Sequence, residues 1–141
     1  MTRPMRYFPL FADLGGAEVL VVGGGEQALQ KVRLLLKTQA AITVVAESAV
    51  AELEALAHDG RLILERVAFA PAYLEGRRLL YVATGEASRD AEISQLAQER
   101  GIPVNVVDRT ELSTYITPAI VDRAPVTVAI GTAGAAPNLA R

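Results

Sequence analysis

The chain has 141 residues, enough for one domain with a sizeable core, and its 51% hydrophobic and 21% charged residues give a globular balance. The formal net charge of -2 argues against bulk attraction to nucleic acid or an anionic membrane. With no cysteine and one histidine, disulfides, thiolate metal sites, thiol nucleophiles, histidine-rich metal sites and a Ser-His-Asp triad are set aside, and no tightly held metal is expected.

The N-terminal run Met1 to Pro9 lacks the apolar core of a signal peptide, and no apolar run approaches the about 18 residues that span a bilayer. A cytoplasmic location without a membrane partner is the default expectation. Glu18 to Val22 reads as a first strand. It leads into Gly23-Gly24-Gly25, and Gln27 to Thr38 then follows helix period, with an apolar stripe at Ala28, Val32, Leu35 and Leu36. Ile42 to Ala46 predicts a second, β-branched strand, and Ser48 to His58 a short helix capped by Ser48 and ended by Asp59-Gly60.

Leu62 to Val67 predicts a third strand, Pro71 to Gly76 a turn or a single helical turn, and Leu79 to Ala83 a fourth strand. Ser88 to Arg100 predicts an amphipathic helix capped by Ser88 and stopped by Gly101 and Pro103. Val104 to Val107 is a fifth strand, Pro118 to Arg123 carries no decisive pattern, and Val126 to Ile130 is a sixth strand. Pro137 to Arg141 looks like the start of a helix at which the chain stops. Strands alternating with helices predict an α/β fold of Rossmann type, doubly wound, with a mostly parallel sheet and helices on both faces. The expected strand order is 3-2-1-4-5, with the last strand added at the edge.

The most informative feature is the G-x-G-x-x-A spacing on Gly23, Gly25 and Ala28, between a strand and a helix. Such a turn lets backbone approach a pyrophosphate, and the helix N–H groups and dipole favour the anion there. A flexible glycine loop explains less, because glycine loses more freedom on folding than other residues. Glu47 lies about 20 positions beyond the glycines with Ser48 beside it, where an acid of this fold binds ribose hydroxyls and repels a 2′-phosphate, favouring NAD. Its other reading is a helix-start acid favoured by the dipole. Thr84 follows the fourth strand and should line the same groove.

Asp108 follows the fifth strand at the ligand-facing edge. It reads equally as a proton acceptor beside a nicotinamide or as a loop residue making an Asx-turn. Arg109 adjoins it and could bind a substrate carboxylate. His58 reads as an exposed helix-end residue, Tyr81 and Tyr115 as packing residues, and Arg89 and Arg123 as solvated charges.

Tyr7-Phe8-Pro9-Leu10-Phe11, Leu20 to Gly25, Ala28 and Lys31 to Leu36 resemble the N-terminal half of siroheme synthase, the precorrin-2 dehydrogenase module. The likeness continues through Ala83-Thr84, Asn105-Val-Val-Asp108, Ile116-Thr-Pro118-Ala-Ile-Val-Asp-Arg123, Pro137 and Leu139-Ala-Arg141, and so runs along essentially the whole chain. The resemblance implies NAD-dependent oxidation of precorrin-2, a reduced tetrapyrrole, to sirohydrochlorin, with ferrous iron insertion in some members. It implies Asp108 as the catalytic carboxylate and cofactor contacts at Gly23, Gly24, Gly25, Glu26, Gln27, Glu47 and Ser48, while place along the chain adds Thr84 to the cofactor groove and Asn105 and Arg109 as candidate substrate contacts. It also implies a helical region beyond Arg141 that forms a homodimer.

The chain departs from the family pattern at four places: Gln27 where valine is usual, Gln30 for arginine, Gln39 for a helix-ending glycine, and Ala136 for a serine. Two rival functions remain: a regulatory NAD-sensing module, which needs the glycine turn and Glu47 but not Asp108, and a degenerate paralogue without turnover.

Overall fold

The computed structural model describes residues 4–131. The expected helix start at 137–141 and the departure at Ala136 lie outside the described residues. The chain divides into two compact units, residues 12–114 and the described parts of 1–11 and 115–141.

The larger unit runs β1 (Glu18–Val22), α1 (Glu26–Leu35), β2 (Ala41–Val45), α2 (Ala51–His58), β3 (Ile63–Glu65), a 3₁₀ turn at Pro71–Leu74, β4 (Leu79–Val82), α3 (Ala87–Glu99), β5 (Val104–Val106) and a 3₁₀ turn at Thr110–Leu112. Its five strands pair in parallel in the order β3-β2-β1-β4-β5. This is the doubly wound Rossmann-type arrangement that the alternating pattern predicts.

Both faces of the sheet are covered, which is why β1, β2 and β4 read as continuous apolar runs rather than alternating ones. Leu20, Val22, Leu80, Val82, Val104 and Val106 pack with Leu74 and with Ile93 and Ala97 of α3. Burial on the other face runs through Val19, Val21 and Val44, with Ala28, Leu29, Val32 and Leu35 forming the buried stripe of α1. Arg33 of α1 bonds the Glu52 carboxylate of α2 at 2.7 Å, so these two helices share that face. The guanidinium hydrogen bond holds the Glu52 carboxyl below the ordinary carboxylate range. The pair is solvated, so it contributes little stability.

The expected sixth strand does not join the edge of this sheet. Val126–Ile130 (β7) instead pairs antiparallel with Ala119–Arg123 (β6) through the turn Ala124-Pro125, as a two-stranded ribbon in the smaller unit. The outer edge of β5 is already satisfied. The Val104 N–H donates to Thr114 Oγ1 at 2.9 Å, the Thr114 N–H to the Val104 carbonyl at 2.7 Å, and the Val106 N–H to Ser113 Oγ at 2.9 Å. A paired edge has no free ladder to offer another strand.

Two expected caps are also corrected. Ser48 does not cap α2, whose cap position is Val50 with no side-chain bond. Ser88 lies inside α3, which begins after Glu86. The turn into α3 is held by Asp90, whose carboxylate accepts from the Thr84 N–H at 3.1 Å and from the Thr84 hydroxyl. Among the described residues no helix is long and apolar enough to cross a membrane.

Candidate functional site

The glycine turn sits at the carboxyl end of β1, next to the point where strand order reverses between β1 and β4. The three glycines serve different ends. Gly23 has φ 129°, and a Cβ on it would lie 2.0 Å from the Ala83 carbonyl oxygen, so the turn presses against the end of β4. A Cβ on Gly24 would lie 2.0 Å from the Ser48 carbonyl oxygen, and the Gly24 carbonyl accepts from the Val50 N–H at 2.9 Å. Those two glycines are required by the protein's own backbone.

Gly25 is not. A Cβ there would meet no protein atom within 4 Å, and its φ of −91° suits any residue. Gly25 is also the cap position of α1, with no side-chain bond to the helix's leading N–H groups. An open approach to uncapped donors at a helix start fits a pyrophosphate. Ala28, at the third position of the spacing, is fully buried where α1 meets the sheet. Gly24→Ala tests the packing assignment. Backbone must move to admit the methyl, so a loss of roughly 1–3 kcal/mol in unfolding free energy is expected in denaturant titration. Unchanged stability would mean that the two loops can part freely.

Beside the turn lies a cleft of about 280 Å³ lined by Gly23, Gly24, Ala46 to Ser48, Val67 to Phe69, Thr84, Glu86 and Arg89, together with Val22 and Val45. Of the residues expected from sequence, Glu47 and Ser48 form its β2 wall and Thr84 its β4 wall. The Thr84 hydroxyl is already engaged by Asp90, which leaves Thr84 a structural part in this wall. Phe69 and half-buried Arg89 were missed. Arg89 reads as a surface charge because helix period alone does not say that the first turn of α3 faces the cleft. The Val67-Ala68-Phe69 loop was missed because the third strand ends at Glu65, which leaves these residues beyond the carboxyl edge rather than in the strand.

Asp108 lies on the other flank of the glycine turn. It is exposed, has φ 63°, and its Oδ2 accepts a 3.1 Å hydrogen bond from Gln27 Nε2 in the first turn of α1. Asp is one of the few residues that adopt this left-handed conformation readily. Glu26 turns instead toward Arg33, 3.5 Å away, so any part it takes in anion binding comes from its backbone. Arg109 is ion-paired to Glu111, whose carboxyl its hydrogen bond holds below the ordinary range. Asn105 is buried within β5, on the sheet face opposite Val104 and Val106. The structure thus brings Asp108 to the glycine turn but leaves Asn105 inside the sheet. Among the described residues no cluster of three or more His, Cys, Asp or Glu side chains could hold a metal ion.

A five-stranded parallel sheet, a strand-glycine-helix turn at its reversal point and an acid at the end of β2 define a dinucleotide-binding domain of Rossmann type. Residues 10–119 match the family model described as "Putative NAD(P)-binding", and the chain belongs to that NAD(P)-binding family. It is 47% identical over 137 residues to siroheme synthase of Chromobacterium violaceum, a match that takes in 97% of this chain and 29% of that protein. It is 48% identical over 137 residues to siroheme synthase of Pseudomonas putida, covering 97% of this chain and 30% of that protein. The chain therefore spans under a third of the length of these relatives. A solved structure of SirC, precorrin-2 dehydrogenase, superposes with a TM-score of 0.76 at 30% identity, covering 95% of this chain and 66% of that one.

Proposed function

We propose that this chain binds NAD and carries the oxidation of precorrin-2 to sirohydrochlorin in siroheme synthesis. The observation that carries the reading is Asp108, an exposed carboxylate tied by Gln27 to the first turn of the helix that would take the cofactor's pyrophosphate. The named relatives support the choice of substrate.

In this reading the adenosine end occupies the cleft at β2. The α1 start takes the pyrophosphate, and the reactive end reaches toward β5. Those ends are three strand spacings apart, about 14 Å, so an extended dinucleotide bridges them. When bound, the nicotinamide supplies the hydride acceptor that no side chain provides. The substrate gives up a hydride and a proton. Asp108 accepts the proton at a carboxylate oxygen and returns it to solvent. Gly25 keeps the approach to the helix N–H groups open, and Gly23 and Gly24 hold the turn against β4 and the β2–α2 loop. Anaerobic NADH formation on adding precorrin-2 to the full-length protein tests the reading. NAD binding without NADH formation would favour a sensing module.

Glu47 sets the cofactor choice in this proposal. Its carboxylate accepts ribose hydroxyl bonds and repels a 2′-phosphate, so calorimetry should give NAD the tighter binding by roughly an order of magnitude. Arg89, which lines the same cleft, acts in the opposite sense, so Glu47→Ala should narrow the ratio sharply. Equal affinities in the unsubstituted chain would remove that role from Glu47.

The proposal extends to a homodimer, supported by the exposed apolar residues Ile120, Val121, Val126, Val128 and Ile130 on the β6–β7 ribbon. Val128→Asp should then shift sedimentation of the full-length protein toward monomer. A monomer before substitution would refute the dimer.

A further inference from the structure

We infer that Gln27 is a positioning residue for Asp108, holding its carboxylate against the first turn of α1 so that the phosphate-binding turn and the proton acceptor form one unit. The inference rests on the function proposed above. Asp108 is exposed and stands in a left-handed backbone conformation just past β5, so packing does not fix its carboxylate. Among the described residues its hydrogen-bond partner is Gln27, whose Nε2 donates to Oδ2 at 3.1 Å.

The reach is specific. In the sheet, β4 lies between β1 and β5, so the α1 start and the β5 end are two strand spacings apart, about 10 Å. A glutamine side chain extends far enough to help close such a gap, and the valine usual in the resembled family has neither the length nor a donor. The other nearby charges are directed elsewhere. Glu26, adjacent on α1, faces Arg33, and Arg109, adjacent on the β5 loop, is paired with Glu111. The Gln27 amide is therefore the group aimed at the Asp108 carboxylate. It occupies Oδ2 and leaves Oδ1 to receive a proton.

Gln27 is exposed, so substitution there should leave the fold intact. Two variants of the full-length protein test the inference. Gln27→Leu removes the donor at similar bulk. Gln27→Glu keeps the shape and replaces the donor with a second carboxylate. Both should lower kcat, by roughly 3- to 10-fold for Gln27→Leu, while the KM for NAD changes less, because the Gln27 side chain is turned to Asp108 and a phosphate contact at this position falls to its backbone N–H, which both variants keep. The loss should be larger in Gln27→Glu, whose second carboxylate repels that of Asp108.

A substrate-free readout stands apart from catalysis. In side-chain carboxyl-carbon NMR of the protein without substrate, the Asp108 resonance should shift and broaden in Gln27→Leu, because a carboxylate released from its partner samples several rotamers. An unmoved Asp108 resonance overturns the inference whatever the activity shows. So does an unchanged kcat in both variants when Asp108→Asn is inactive. Activity retained in Asp108→Asn, with the resonance shifted as expected in Gln27→Leu, overturns the proton-acceptor reading and leaves the Gln27 contact standing.

Discussion

Asp108→Asn, made in the full-length protein, is expected to keep NAD binding and to lose precorrin-2 dehydrogenation by about 10²–10⁴-fold, the usual worth of a positioned general base. The substitution is structurally mild. Asparagine tolerates the left-handed backbone that Asp108 adopts at φ 63°. Its carbonyl oxygen can still accept the Gln27 amide now bonded at 3.1 Å. What it cannot do is take a proton. Neither His58, at the far end of α2, nor Glu111, paired with Arg109, is placed to replace it. Anaerobic NADH formation at the unsubstituted rate would show that the proton leaves by another route.

Gly25→Val is the second large effect. No protein atom lies within 4 Å of a Cβ at this position and φ is −91°, so the variant should fold with near-normal stability. The side chain would stand over the uncapped start of α1, where the pyrophosphate must approach backbone. NAD binding should fall below detection in calorimetry while the thermal midpoint stays close to that of the parent. Retained affinity in the folded variant would put the phosphate site elsewhere. The contrast with Gly24→Ala is informative, because there the clash is with the chain itself and stability should suffer first.

Local signals along the chain announced much of this molecule. The apolar runs at β1, β2 and β4, the glycine turn and the helix periods predicted the five-stranded parallel order, because each signal is local and βαβ connections have one hand. Gly23, Gly25 and Ala28 were legible as a glycine turn between a strand and a helix, and Glu47 as an acid at the end of β2, since their offsets from the strands are short. The resemblance to the siroheme synthase module likewise rested on short segments in a kept order.

Pairings between distant residues were not legible. Ser113 and Thr114 close the edge of β5, and the last strand pairs with β6 in a separate ribbon. Asp90 locks Thr84, and Arg89 and Phe69 arrive at the cleft from separate loops. Gln27 meets Asp108 across 81 positions of chain. Sequence period decides which face of an element is apolar, so the sequence by itself determined the elements of the five-stranded sheet, their order and the glycine turn between β1 and α1. Which side chains face one another at the sheet's carboxyl edge depends on how strands and loops converge in space, and that only the tertiary structure decided.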